Sequence, residues 1–511
     1  MMRENSKIKS FKLFEDYLYP IENWKITSFS ADDFFCQEER IRLEEKYIGI
    51  TEVTDKFNRQ SVSYQLSKKD SIHRWLKYKE GYSADLVNIL LNEFGIHPNE
   101  TVLDPFLGSG TTALVARLQG INSIGFDILP ITNVSIAVKS SIFKYNLQEL
   151  SNLIIDIENI VIPSKYDTKA NYIGITKDAY PYNTEIELCF ITDWNRKSAY
   201  SNEIKNLVTL CILNSLERIS YSAKDGQYLR WDYRSPKIQE AERKRLLANK
   251  KPFATKLDKG ILPSLKECLL HELKTVSSDI IDIQKNVNHT LFEQANLEYI
   301  NGSALYELPQ KADNIIDGVI TSPPYCNRYD YTRTYALELV YLGKNEEEVK
   351  NLRQELLSCT VENKSKIERL KDHYTSLRKE NEYNKIISII ENNKTLKEIN
   401  LALEARNING DINNTGVLKM VNGYFSELTF IYFELFRLCR KGAYVAFVND
   451  NVRYGGEVIP VDYLSTEIAE QIGFTPIKIY TLRQQKGNSS QQMKKFGRIP
   501  LRKSITIWRK D

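Results

Sequence analysis

Apolar residues recur along this chain in two rhythms, and the places where the rhythm changes mark its parts. Leu86, Val87, Leu90 and Leu91 fall at helical spacing behind Ser83, a natural N-cap, with Gly95 and Pro98 placed to end the helix. Thr101–Asp104 then reads as a short strand, Gly108 and Gly110 as a turn, Ala113, Leu114, Ala116 and Leu118 as a helix, and Ser123–Ile128 as a second strand. That is a β-α-β unit with an acidic residue, Asp104 or Asp127, at the tip of each strand. The pattern resumes at Asn296–Ser303 and in the apolar run Ile315–Ile320. It continues with a helix at Phe430–Leu438 closed by Lys441-Gly442, a strand at Ala443–Val448, a helix at Tyr463–Ile472, and strands at Ile477–Leu482 and Ser504–Trp508. Strands alternating with helices predict an α/β fold with a mostly parallel sheet.

Three stretches break this pattern. Residues 1–65 have mixed polarity without a clear period and read as an irregular N-terminal extension. Residues 145–295 hold helical spacing at Leu207–Leu216, an exposed stretch Lys224–Arg234, and a basic run of Arg243, Lys244, Arg245, Lys250, Lys251 and Lys256. Basic and aromatic residues interleaved in this way suit phosphate contacts and base stacking, and a solvated helix face fits the basic run equally well. Residues 344–419 are rich in Glu, Lys and Asn and predict a charged helical insertion. The segments 66–144, 296–343 and 420–511 together form the α/β domain. The polar loop Arg483–Arg498 is long enough to be functional and is suited to a polyanion.

Composition narrows the class. The 511 residues carry a net charge of +4, so a nucleic-acid partner is permitted by local patches rather than by the sum. Seven cysteines without a C-x-x-C pair and five histidines support neither a zinc site nor a disulfide framework, so no metal is expected. The first residues lack an apolar signal segment and no long apolar run follows, which predicts a soluble cytoplasmic protein without a membrane partner.

The candidate chemistry sits at two points. In Thr321-Ser322-Pro323-Pro324-Tyr325, two prolines stop a buried strand and leave its last carbonyls as acceptors, with a flat aromatic face beside them. That pairing suits a planar ring carrying an amino group, although a strand terminator with a packing tyrosine has the same sequence. At the second point, Gly108 and Gly110 allow close approach of a ligand to backbone, and Asp127 is spaced to accept both hydroxyls of a ribose. The loop lacks the lysine of a phosphate-binding loop and the third glycine of a dinucleotide fingerprint.

Taken together, Asp104-Pro105-Phe106-x-Gly108-Ser109-Gly110-Thr111-Thr112 and Ser322-Pro323-Pro324-Tyr325 resemble the cofactor and catalytic motifs of the amino-group DNA methyltransferases of bacterial restriction-modification systems. The resemblance covers residues 70–140 and 296–342 well and 425–511 more loosely. It implies a Rossmann-like fold of the class I methyltransferases: a mostly parallel seven-stranded sheet with its last strand antiparallel, carrying large helical insertions. It implies S-adenosylmethionine (SAM) as cofactor, held by Tyr82, Ser83, Asp104, Pro105, Phe106, Gly108, Ser109, Gly110, Thr111, Asp127, Ile128 and Ser303. Ser322, Pro323, Pro324 and Tyr325 become the catalytic residues, with double-stranded DNA as substrate and a cognate restriction endonuclease as possible companion. In this family a serine at the first catalytic position points to N(4) of cytosine rather than N(6) of adenine. The motif order assigns target recognition to 145–295. Asn301-Gly302-Ser303 stands where the family often has an acidic residue for the adenine amine. An N(6)-adenine enzyme, an RNA base methyltransferase and a non-catalytic DNA-binding subunit are the alternatives.

Overall fold

The computed structural model describes residues 37–167, 170–225, 228–483 and 501–511. Most of the loop Arg483–Arg498 therefore lies outside the described residues.

The strands, in chain order, are β1 Thr51–Thr54, β2 Thr101–Asp104, β3 Asn122–Asp127, β4 Ser222–Asp225, β5 Tyr228–Trp231, β6 Leu297–Asn301, β7 Ile316–Thr321, β8 Cys439–Asp450, β9 Val452–Tyr454, β10 Glu457–Ile459, β11 Thr475–Leu482 and β12 Lys503–Arg509. Eight of them form one sheet in the order β1-β11-β12-β8-β7-β2-β3-β6. Neighbours run parallel except at β12, which is antiparallel to both β11 and β8. This is the α/β methyltransferase architecture that the motifs imply, with one correction. The sheet has eight strands rather than seven, because β1 adds to the edge alongside β11. It comes from the stretch read as irregular, which also contributes helix α1, Glu38–Tyr47. Four residues are too few to display a period, and α1 buries charged side chains, Arg40 and Glu44, among its inward-facing residues, so neither element carries the expected apolar stripe.

The β-α-β unit forms as its spacing predicts. Helix α2, Ala84–Phe94, is capped by the Ser83 side chain, which accepts from the Leu86 amide, and ends at Gly95 in the left-handed conformation. Helix α3, Thr111–Leu118, starts from Gly110 at φ +90°, and α4, Pro130–Ser140, follows β3. Between β3 and β6 the chain forms several helices, among them α5, Pro236–Leu247. After β7 come two short helices, α6 Tyr331–Thr334 and α7 Ala336–Tyr341, and then the insertion, opening with α8, Glu346–Glu355. Helix α9, Gly416–Leu438, extends further upstream than its apolar residues indicate. It ends directly at β8, so Lys441-Gly442 belong to the strand rather than to a helix cap. Helix α10, Val461–Ile472, packs beside α9 and against β8, β11 and β12.

The core forms because both faces of the sheet are covered. Trp508 of β12 is fully buried, stacked on Phe447 at 5.7 Å and edge-on to Tyr432 of α9 at 5.0 Å. Each such ring pair adds about 0.5–1.5 kcal/mol beyond burial. The stretch Lys224–Arg234 is exposed only in part: Arg230 and Tyr233 are exposed as expected, whereas Leu229 and Asp232 are buried and the Lys224 ammonium pairs with Glu338. Among the described residues no helix is long and apolar enough to cross a membrane, and no group of three His, Cys, Asp or Glu side chains gathers as a metal site.

Candidate active site

The sheet order reverses between β2 and β7, so a crevice opens beyond their carboxyl ends, where α/β sheets place their ligands. Both motifs end there: β2 delivers Asp104 and the glycine turn, and β7 delivers Thr321 and Ser322. The two tips are tied together. The Thr321 hydroxyl donates to Asp104 Oδ1 at 2.7 Å and the Tyr82 hydroxyl to Asp104 Oδ2 at 2.8 Å, while the Phe106 amide also reaches Oδ1 at 3.1 Å. Burial pushes the Asp104 carboxyl up to about 6, against the pull of these donors. Its oxygens face inward rather than being offered to a cationic ligand, so Asp104 braces the two loops.

A cleft lies over these tips. Of the residues expected to hold a cofactor, Tyr82, Pro105, Phe106, Gly108, Ser109, Thr111, Asp127, Ile128 and Ser303 line it. Ser83, Asp104 and Gly110 do not: Ser83 caps α2 and bonds the Ser61 carbonyl, Asp104 lies beneath, and Gly110 starts α3. The turn needs its glycine at 108. φ is +55° there, and a Cβ would come within 2.9 Å of Tyr78 Cε1. Asp127 is held by three donors, the Gly108 amide at 2.9 Å, the Leu129 amide at 2.8 Å and the Thr132 hydroxyl at 2.9 Å. Its carboxyl is raised by burial, which those bonds partly offset. Beneath the loop the ammonium of Lys139, buried in α4, donates to the Ser109 carbonyl at 3.0 Å. Burial lowers that lysine to about 7.

Ser322 and Pro324 line the same cleft. Tyr325 stands at its side, its hydroxyl 3.2 Å from Ser322 Oγ, which is also 3.2 Å from the Val448 carbonyl. The Lys503 ammonium lies over the Tyr325 ring, 5.1 Å from its centroid, and pairs with Asp450 at 3.3 Å. Burial alone would lower Lys503, but Asp450 and Tyr325 outweigh it and raise its pKa, while burial raises that of Tyr325. Cys326 is fully buried and far above its ordinary pKa through desolvation, a packing residue rather than a nucleophile.

Several lining residues carry no motif signal. Tyr78 and Glu80 precede the glycine-turn motif: Tyr78 stacks on Tyr335 at 5.4 Å, and the Tyr335 hydroxyl donates to Glu80. Their nearness to Tyr82 in sequence was the available clue. Glu355, Leu356 and Leu357 come from the charged insertion, and nothing local in the sequence predicts that they roof the cleft. Gly302 lines the cleft beside Ser303, whereas Asn301 is exposed at the end of β6.

Comparison with known proteins fits this geometry. The family model described as "DNA methylase" matches residues 37–132. The chain is 56% identical to the type II methyltransferase M.BsoBI of Geobacillus stearothermophilus over 488 residues, covering 96% of this chain and 95% of that one. It belongs to the amino-group DNA methyltransferases of restriction-modification systems. A type II methyltransferase M.AvaI of Nostoc sp. is 37% identical over 94% of this chain and 95% of its own length. The type II methyltransferase M.MjaII of Methanocaldococcus jannaschii is 35% identical over 97 residues, 18% of each chain. No solved structure matches. As a type II DNA methyltransferase of the N(4)/N(6) family, the chain acts on DNA, and methyltransferases of this kind generally use SAM.

Proposed function

We propose that this enzyme binds SAM in the cleft between the two motifs and methylates N(4) of a cytosine flipped out of double-stranded DNA. The supporting observation is that Ser322, the residue that would meet the amine, shares one cleft with Phe106–Ser109 and Asp127. The cleft suits the cofactor. Phe106, Ile128 and Leu129 offer apolar walls for an adenine ring, Asp127 lies near for the ribose, and the carboxylates of Glu80 and Glu355 suit a cationic methionine end.

When bound, SAM supplies an electrophilic methyl group on a sulfonium. The chain's own residues prepare the nucleophile. An exocyclic amine is a weak nucleophile while its lone pair is delocalised into the ring, and acceptors on its two protons favour the pyramidal nitrogen that attacks. The lone pairs of Ser322 Oγ and the carbonyl of Pro323 serve as those acceptors. The Tyr325 ring stacks on the flipped base, and Lys503 with Asp450 holds the ring in place. No covalent intermediate is required, so positioning and electrostatics provide the acceleration. Ser322 at the first catalytic position favours cytosine. The enzyme works beside DNA in the cytoplasm, with a cognate endonuclease as its companion.

Incubation with methyl-labelled SAM and DNA, followed by nucleoside analysis, tests this. Label in N(4)-methylcytosine is expected. Label in N(6)-methyladenine would overturn the choice of base, and label in tRNA with none in DNA would overturn the substrate.

A further inference from the structure

Helix α5 is unlike the other long helices of the chain: none of its residues is buried. Its start is well made, with Ser235 accepting from the Ile238 amide and Pro236 in the first turn. Yet 12 residues are marginal for a free-standing helix, and helices of that length draw most of their stability from packing. Leu246 and Leu247 stand 53% and 78% exposed at its end. The returning chain contributes Lys250 and Lys251, both exposed and without a carboxylate partner among the described residues, and the Arg245 guanidinium ties it back by bonding the Lys251 carbonyl and covering the Phe253 ring.

The charge of this segment is disproportionate. Residues 236–259 hold eight basic and three acidic residues, a net of +5, against +4 for the entire chain. The rest of the molecule is therefore close to neutral.

The segment is held firmly at its root. Asp232 accepts from the Arg234 guanidinium and from the amides of Arg234 and Lys259. The Lys259 ammonium donates to the carbonyls of Ser220 and Ser222 at 2.6 and 2.7 Å, and also to that of Glu217. Residues 233–258 thus leave and re-enter at one stapled point. That point is continuous with the β4–β5 hairpin, whose Lys224 is paired with Glu338 of α7 and lies 4.2 Å over the Tyr335 ring. Tyr335 stacks on Tyr78 in the wall of the cofactor cleft.

We propose that α5 and residues 248–258 form an arm that lies on double-stranded DNA, with Arg243, Lys244, Lys250 and Lys251 on backbone phosphates. This rests on the function proposed above. An α-helix fits the major groove, and a root anchored to the helices after the catalytic motif brings the arm to the duplex that holds the target base. On its exposed side Arg243 and Lys244 meet only Glu240 of the same helix, and a surface of this charge matches a polyanion better than an apolar protein surface.

The test is a variant of the full-length enzyme carrying Arg243→Ala, Lys244→Ala, Lys250→Ala and Lys251→Ala, assayed on unmethylated bacteriophage DNA across a salt series. KM for DNA is expected to rise about tenfold or more, and the slope of log affinity against log salt to flatten by about 3–4. The kcat at saturating DNA and the Kd for SAM should stay unchanged. A companion variant with Arg243→Lys and Lys244→Arg should retain the wild-type slope. Unchanged KM and slope would overturn the arm. A change in oligomeric mass with unchanged KM would overturn it equally, by giving the helix a protein partner. Wild-type enzyme that labels no DNA would instead sink the function on which the arm depends, so the two failures are distinguishable.

Discussion

Asp104 shows how one side chain joins the two halves of the site. Burial pushes its carboxyl from 3.8 up to about 6, so the native state holds a proton that the unfolded chain has released. Stability from this group is fully present below about pH 4 and is lost as pH rises through about 6, a change of about 3 kcal/mol for a fully enclosed carboxyl. Urea unfolding between pH 4.5 and 7 should therefore show wild type losing stability relative to Asp104→Asn as pH rises; a difference that stays constant with pH would reject the assignment. Tyr325→Ala is expected to remove about 1–3 kcal/mol of base stacking and lower turnover sharply, with SAM binding retained; equal turnover in a single-turnover assay would remove Tyr325 from the pocket. At this scale the sequence was most informative where backbone chemistry limits the choice, as at Gly108 and Pro323-Pro324. Lys503 was invisible because its contact with Tyr325 depends on how β12 is placed in the sheet, which no local pattern encodes.

At the scale of elements, every strand of the methyltransferase sheet except β1 was legible as an apolar run, helix α2 was legible almost to the residue through Ser83 and Gly95, and the β-α-β unit through its glycine turn. The insertion was legible only as charged helix. Its part in the site comes from Leu356 and Leu357, just past α8, whose apolar side chains close the cleft from above. Leu357 is 4% exposed, and burying a leucine is worth ~1.5–3 kcal/mol. Leu357→Ala should therefore cost about 2–5 kcal/mol of stability in urea unfolding. An unchanged midpoint would mean that the insertion does not share the core of the sheet domain.

Across the whole molecule, the N-terminal elements act as a clamp rather than an appendage. Arg40 of α1 is fully buried and bonds both Glu398 of the insertion, at 2.7 Å, and Glu457 of β10, at 2.9 Å. Four residues along, Glu44 pairs with Arg502 beside β12, which also holds Asp462 of α10. Removing one partner leaves buried charge uncompensated, so Arg40→Ala should cost about 3–5 kcal/mol and lower Tm by several degrees in calorimetry. A shift within error would show that the clamp is dispensable. Long-range pairing of this kind explains why residues 37–54 looked featureless: their partners lie hundreds of positions away.

The stapled root at Asp232 and Lys259 has a consequence for how far the arm can be altered. Because the chain closes on itself there, the residues between can be exchanged, lengthened or shortened without moving a strand of the sheet. The phosphate contacts proposed for the arm are thereby separated from the cleft, so deleting residues 236–256 should weaken DNA binding and leave the SAM site intact.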